Sequence, residues 1–302
     1  MTTLVCLGFG YSARHYVALY GKRFERIVGT TRSAENAEVL HSRRLGGNVA
    51  EIIVFDGTVP SSDLAAAVAD AAVVLVSIPP DRHIDPALAH FRGAIAAAPR
   101  LKSIVYLSTI AVYGDHDGRW IDETTPLAPA RTRAASRIDA ESAWQAFGEA
   151  HNVPVAVIRI AGIYGPGINA LETVKGGQAR RIVKPGQVFN RIHVADLAQV
   201  IDKAVDMALT PHAGGVFNAA DDEPTAPGDP ILFAAHLLGV APPAEIAFEE
   251  AKKTMSPLAV SFYGESKRVR NDRIKSVLGV SLRYPTYREG LRALAIEMSD
   301  QN

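Results

Sequence analysis

Short apolar runs alternate with helix-forming stretches along the first half of the chain. Leu4 to Leu7, Ile27 to Thr31, Ile52 to Phe55, Val73 to Ile78, Ile104 to Leu107 and Val155 to Ile160 read as strands. Val73 to Ile78 is apolar almost throughout and stops at Pro79-Pro80, as a strand buried on both faces does. Helices are expected after Ser12-Ala13, over Asp63 to Ala72 (capped by Ser61, Ser62 or Asp63), over Pro86 to Ala98 with Pro in the first turn, and over Ser136 to Ala150. Strand and helix signals in this alternation predict an α/β fold with a doubly wound parallel sheet.

After residue 160 glycine, proline and polar residues become more frequent. A helix over Ala195 to Leu209, a strand over Gly215 to Asn218, and helices over Pro230 to Leu238 and Arg288 to Met298 are expected there. The pattern divides the chain into a sheet domain, residues 1–160, and a smaller C-terminal lobe, residues 161–302. Segments around 191–220 are expected to pack back on the first domain.

Composition narrows the function classes. Of 302 residues 48% are hydrophobic and 21% charged, with 32 basic and 32 acidic side chains. Balanced charge offers no field for nucleic acid or an anionic membrane surface, so neither is expected as a partner. The single cysteine, Cys6, lies in the first apolar run and excludes an intrachain disulfide; it is expected to be buried. No apolar stretch approaches the ~20 residues of a membrane helix, and no signal-peptide pattern opens the chain, so a cytoplasmic protein is expected.

The first strand runs into Gly8-Phe9-Gly10-Tyr11-Ser12-Ala13, a G-x-G-x-x-A turn between a strand and a helix. There the first glycine permits the tight turn, the second lets backbone approach a pyrophosphate, and a small third residue lets helix and strand pack closely. This is the signature of a dinucleotide-binding, Rossmann-type sheet. The second strand ends in Thr30-Thr31-Arg32-Ser33, without the carboxylate that would accept from ribose hydroxyls and repel a 2′-phosphate. Arg32 suits a phosphate, with Thr31 or Ser33 as added donors, which favours NADP over NAD. Asp56, closing the third strand, is a candidate for the adenine, and Ile78 and Pro79, ending the fourth, for the cofactor wall.

Several segments together resemble the extended short-chain dehydrogenase/reductase family, also called the NAD-dependent epimerase/dehydratase family. They are Tyr106 to Gly114, Asp122-Glu123 with Pro126-Leu127, Arg159 to Gly167, Arg191 to Ala198, and Lys267 to Leu294. The resemblance implies hydride transfer assisted by a Ser/Thr, a Tyr that serves as acid or base, and a Lys four residues after it that lowers the Tyr pKa and holds the nicotinamide ribose. Thr109 matches the Ser/Thr.

The Tyr and Lys positions fall on Arg133 and Arg137, so the chain resembles an atypical subgroup. No Tyr occurs between Tyr113 and Tyr164 that a shifted alignment would recruit. The family's usual G-x-x-G-x-x-G is also altered, with Leu7 at the first position and Ala13 at the last. Sugar-nucleotide members place a phosphate-binding Arg four residues before the position of His193; here that residue is Phe189, with Arg191 two residues on. His193 itself reads as structural, and its spacing to Asp196 does not point to a metal site.

Three functions are left open. One is an NADP-dependent oxidoreductase with a non-standard proton donor: Thr109 positions a carbonyl, Arg137 holds ribose or substrate, and Tyr113 and Tyr164 are donor candidates. The second is a non-catalytic NADP(H)-binding sensor or scaffold. The third is a nucleotide-sugar epimerase or dehydratase. The balance leans towards the first, with an unknown small-molecule substrate. The resemblance also suggests a homodimer through helices near Ala87 to Ala97 and Arg137 to Ala150.

Overall fold

A computed structural model describes residues 2–81, 84–129, 132–207 and 214–300. The strands are β1 (Thr3–Leu7), β2 (Arg26–Thr31), β3 (Glu51–Val54), β4 (Val73–Val76), β5 (Ser103–Thr109), β6 (Trp120–Ile121), β7 (Val155–Ile160), β8 (Gly162–Tyr164), β9 (Arg181–Val183), β10 (Arg191–His193), β11 (Gly215–Ala219), β12 (Glu245–Ala247) and β13 (Arg268–Val269). The helices are α1 (Tyr11–Tyr20), α2 (Ala34–His41), α3 (Ser62–Ala69), α4 (Pro86–Ala96), α5 (Thr132–His151), α6 (Ala170–Lys175), α7 (Val194–Asp206), α8 (Asp229–Leu237), α9 (Phe248–Ala251), α10 (Pro257–Phe262), α11 (Asp272–Ser276) and α12 (Tyr287–Asp300).

Seven parallel strands form one sheet in the order β11-β7-β5-β4-β1-β2-β3. Period-two alternation sends successive side chains of β1 to opposite faces. Leu4 and Cys6 join Tyr16 and Val17 of α1 and Leu197 and Val200 of α7. Val5 and Leu7 join Leu64 of α3, Phe91 of α4 and Trp144 of α5. The sheet is thus covered on both faces, as continuous apolar strands require. Cys6 is fully buried in it, and burial raises its thiol pKa.

Every expected strand of this sheet is present, with ends moved by a residue or two. Helix α2 was not foreseen, because it buries none of its residues and carries no apolar stripe. Helix α7 begins one residue earlier than expected; residues 208 and 209, its expected end, lie outside the described residues. Outside the central sheet the described residues form three two-stranded pieces, β8 with β10, β9 with β12, and β6 of the first half with β13. Helices α6, α8 and α12 pack around Leu171, Ala234, Tyr287, Leu291 and Leu294. Both β11 and α7 belong to the central sheet and its cover, although the chain reaches them through the second half.

Among the described residues no helix is long and apolar enough to cross a membrane.

Candidate functional site

Strand order reverses between β1 and β4, and the glycine turn lies at that switch point. Gly8 has φ +100°, and a Cβ there would lie 2.5 Å from Ser77 Oγ and 3.0 Å from the Ile78 nitrogen. Its N–H donates to Thr30 Oγ1 at 2.7 Å, while Ser77 Oγ donates to its carbonyl at 2.7 Å. Phe9 N–H donates to Thr30 O at 2.7 Å, and the Phe9 ring occupies the space a Cβ on Gly29 would take. Thr30, Ser77 and Gly29 therefore fix the turn. Sequence reading passed over them, although Ser77 is the polar residue within an apolar run.

Gly10 is different. It has ordinary backbone angles, and a Cβ there would meet nothing within 4 Å. It is the N-cap of α1, with no side-chain cap and no acidic residue in the first turn. The first N–H groups of that helix, over Tyr11, Ser12 and buried Ala13, are left for an anion. The turn thus fits a pyrophosphate. Tyr11 Oη donates to Pro166 O at 3.0 Å, tying the helix start to the loop after β8.

At the end of β2, Thr31 is partly buried and Arg32 is exposed. Ser33 Oγ is already the N-cap of α2, accepting from Asn36 N–H at 3.4 Å. Arg14 Nε donates to Gly10 O at 3.3 Å, and burial, then the charge of Arg43, lowers its pKa. Sequence reading missed both of these. Asp56 is exposed, and its Oδ1 accepts from Thr58 N–H at 2.9 Å and Thr58 Oγ1 at 2.6 Å, bonds that lower its pKa. Ile78 N–H donates to Leu7 O at 3.1 Å, and Pro79 is exposed beside it.

A cavity of about 590 Å³ opens at the C-terminal ends of β5 and β7. Its wall includes Thr109, Tyr164, Phe189, Arg191, Glu265 and Lys267. Thr109 Oγ1 accepts from Ala111 N–H at 3.2 Å, which caps the turn following β5. Lys267, buried, donates to Gly114 O at 2.6 Å and Glu265 Oε2 at 2.8 Å, joining the second half of the chain to the β5 loop. Neither charged residue was singled out in the sequence.

Of the other catalytic candidates, Tyr164 is in the cavity wall, while Tyr113 and Arg137 are not among its lining residues. Tyr113 is fully buried; its hydroxyl accepts from Arg159 Nη1 at 2.9 Å and donates to Asn218 Oδ1 at 2.8 Å. Arg159 grips Glu141 with bonds of 2.7 and 3.1 Å, and Ser108 Oγ also donates to Glu141. Tyr164 contributes to the wall, but its hydroxyl points to Thr286 O, 3.4 Å away, against Gly290 of α12. Burial raises the pKa of both tyrosines. Arg137 Nη1 donates to Leu107 O at 2.5 Å and lies over the Tyr106 ring, and Arg133 is exposed. His193 caps α7 through Nδ1 (3.2 Å from Ala195 N) between the rings of Tyr164 and Tyr284. Burial above all pushes its pKa down to about 4. Asp196 accepts from Arg283 and Tyr284 N–H at 2.7 and 3.0 Å, which makes it a staple.

Residues 8–220 match the sequence profile of the NAD dependent epimerase/dehydratase family. The chain belongs to this family. Its fold is the family's NAD(P)-binding Rossmann fold. Among solved structures, a functionally unknown conserved protein from Silicibacter pomeroyi DSS is 44% identical, with 99% of each chain covered and a TM-score of 0.84. Protein YeeZ of Escherichia coli K12 is 24% identical over 297 residues, 94% of this chain and 97% of YeeZ. A Bacillus anthracis dTDP-glucose 4,6-dehydratase in complex with NAD shares the family fold at 18% identity, with 100% and 97% coverage and a TM-score of 0.74.

Proposed function

We propose that this family member is an NADP(H)-dependent oxidoreductase acting on a small molecule's carbonyl or hydroxyl group, without the Tyr-x-x-x-Lys pair. The observation that carries the reading is the fit of the turn to a pyrophosphate beside a cavity that begins at Thr109. The backbone from Gly8 to Ala13 would hold the pyrophosphate, and Arg32, with Arg14 and Arg43 nearby, the 2′-phosphate of NADP. When bound, the dinucleotide supplies or accepts a hydride. Thr109 is placed to orient a substrate oxygen. The Lys267–Glu265 pair is the proton-bearing group of the wall that remains once the two tyrosine hydroxyls are turned away. Arg137, held on the carbonyl of Leu107, stays the candidate for the ribose.

A second reading, an NADP(H)-binding sensor without turnover, draws on those same tyrosine hydroxyls, neither of which points into the cavity. Fluorescence titration with NADPH and NADH tests what the two readings share. We expect NADPH to bind at least about tenfold tighter, a difference of ~1.4 kcal/mol, with the preference lost in Arg32→Ala. Binding of neither nucleotide would end both readings. Substrate-dependent NADPH oxidation across a carbonyl panel then separates enzyme from sensor.

A further inference from the structure

The cavity differs in chemistry from one side to the other. Thr109 and Ile160 are register partners in β5 and β7, so they line the cavity where the sheet ends. Thr109 Oγ1 accepts from Ala111 N–H at 3.2 Å, which leaves its O–H to donate to a carbonyl oxygen. The second half of the chain supplies Ile163, Val188, Phe189 and Phe262 to the wall, all of them apolar.

The amide and charged side chains of that wall are bonded to the protein itself. Asn190 donates from Nδ2 to Lys267 O and accepts at Oδ1 from Val269 N–H, both at 2.9 Å. Lys267 donates to Gly114 O and to Glu265 Oε2. Arg191 donates to Phe189 O at 3.3 Å and lies over the Tyr287 ring. A ligand rich in hydroxyls would trade water for groups already engaged, whereas an apolar body loses nothing by leaving water.

Phe262 stands at the rim. Helix α10, which it ends, buries none of its residues, and the Phe262 ring is 53% exposed although it lines the cavity. Leu258, four residues earlier and so on the same face, is exposed too. The next residue, Tyr263, is buried against Phe189 and Phe248 and pins the end of the helix. A half-exposed ring beside apolar walls gains cover when an apolar group enters.

We propose that the cavity takes a carbonyl compound with an apolar body, aryl or alkyl, its oxygen on the Thr109 hydroxyl and its body against Phe262. A volume of about 590 Å³ suits a small molecule of this kind. For the reaction the proposal rests on the oxidoreductase reading above; for the ligand it rests on the wall alone. The carbonyl carbon gains a hydride from the reduced dinucleotide and the oxygen gains a proton from the Lys267–Glu265 pair. The products are an alcohol and the oxidised dinucleotide.

The test is calorimetric binding to the full chain, with and without NADP⁺, followed by NADPH oxidation. The probes are methyl naphthyl ketone, methyl octyl ketone, dihydroxyacetone and UDP-glucose, applied to the wild type, Phe262→Ser and Phe262→Leu. We expect one of the apolar ketones to bind at least about tenfold more tightly than dihydroxyacetone, with the negative heat-capacity change that marks apolar burial. Which of the two binds more tightly tells an aryl from an alkyl body. Phe262→Ser lowers that affinity at least about fivefold and Phe262→Leu keeps most of it, while both variants melt near wild type because the ring is half exposed. The proposal is overturned if neither apolar ketone binds, if Phe262→Ser binds as wild type does, or if dihydroxyacetone or UDP-glucose binds more tightly than both. Phe262-dependent binding of an apolar ketone that NADPH never reduces would count against the proposed function and leave the ligand class standing.

Discussion

Two arginines in this molecule sit beside acids, and the protein treats them in opposite ways. Arg159 meets Glu141 at 2.7 Å, and Ser108 and Tyr113 complete the set, with Asn218 bonded to Tyr113. Arg191 lies near Asp221, yet the two side chains form no ion pair, and one oxygen of Asp221 is left without a partner. The first lies behind β5 and β7; in the second, Arg191 is on the cavity wall and Asp221 is buried behind it. A buried charge that serves the fold is fully bonded, because each missing bond costs desolvation energy with no return. Arg191 is instead held by a single hydrogen bond to Phe189 O at 3.3 Å and by its position over the Tyr287 ring.

The largest expected effect comes from breaking the satisfied pair. Arg159→Met leaves Glu141 buried beside one remaining hydroxyl donor, and we expect a loss of about 3–5 kcal/mol in urea unfolding. A loss below about 1 kcal/mol would mean that the network is not the anchor its geometry indicates.

The unsatisfied pair has a weaker, pH-dependent signature of opposite sense. The folded-state pKa of Asp221, about 8, lies above its unfolded value, so the folded chain binds a proton more tightly than the unfolded one. That contribution is fully present below the unfolded pKa, near 4, and is lost as pH rises towards 8. The slope is at most about 1.4 kcal/mol per pH unit. Arg191, Asp222 and Glu223 set the field around the group. Asp221→Asn should therefore equal wild type near pH 4 and exceed it by a few kcal/mol near pH 8. Parallel stability curves for the two proteins would show that Asp221 ionises normally. His193 acts in the reverse direction: its pKa is depressed to about 4, and its contribution is lost as pH falls below the ordinary histidine range.

What the sequence made legible follows the same division. The central strands were readable because each is buried on both faces and so carries an unbroken apolar run, as Val73–Val76 and Val155–Ile160 do. The glycine turn was readable because only glycine adopts the backbone of Gly8 without strain. Strands β8 to β10 span three residues or fewer, as do β12 and β13, too short for a period to register. Lys267 and Glu265 look like surface charges in a sequence. Their burial depends on β13 pairing with β6, a contact between segments far apart in the chain. The motif placed Tyr113 near the pocket, but its hydroxyl turns to Arg159 and Asn218, which sequence distance does not reveal.

Within the glycine turn the contrast between fold and ligand recurs at one atom per residue. Gly8→Ala puts a Cβ at φ +100° and 2.5 Å from Ser77 Oγ, and we expect about 1–3 kcal/mol of lost stability. Gly10→Ala meets open space in the free protein and loses only the better N-cap, about 1 kcal/mol or less, so it should cost less stability than Gly8→Ala. Its NADPH affinity should nonetheless fall at least about tenfold, because the added methyl stands where backbone approaches the pyrophosphate. Equal affinities in Gly10→Ala and wild type would place the pyrophosphate elsewhere.

Asp56 gives the smallest and most delicate case. The end of β3 is near the adenine in the proposed complex, yet its Oδ1 is already engaged by both the N–H and the hydroxyl of Thr58. These bonds lower its pKa, so the carboxylate is charged and committed to the turn that Gly57 completes with φ +100°. A group so engaged has one oxygen to offer a ligand, in full contact with water, where a hydrogen bond exchanges with solvent for little net gain. We expect Asp56→Asn to change NADPH affinity by less than about threefold, under ~1 kcal/mol, while Arg32→Ala loses far more. A tenfold loss in Asp56→Asn would reverse that order and make the adenine, rather than the 2′-phosphate, the main determinant of affinity at this end of the cofactor.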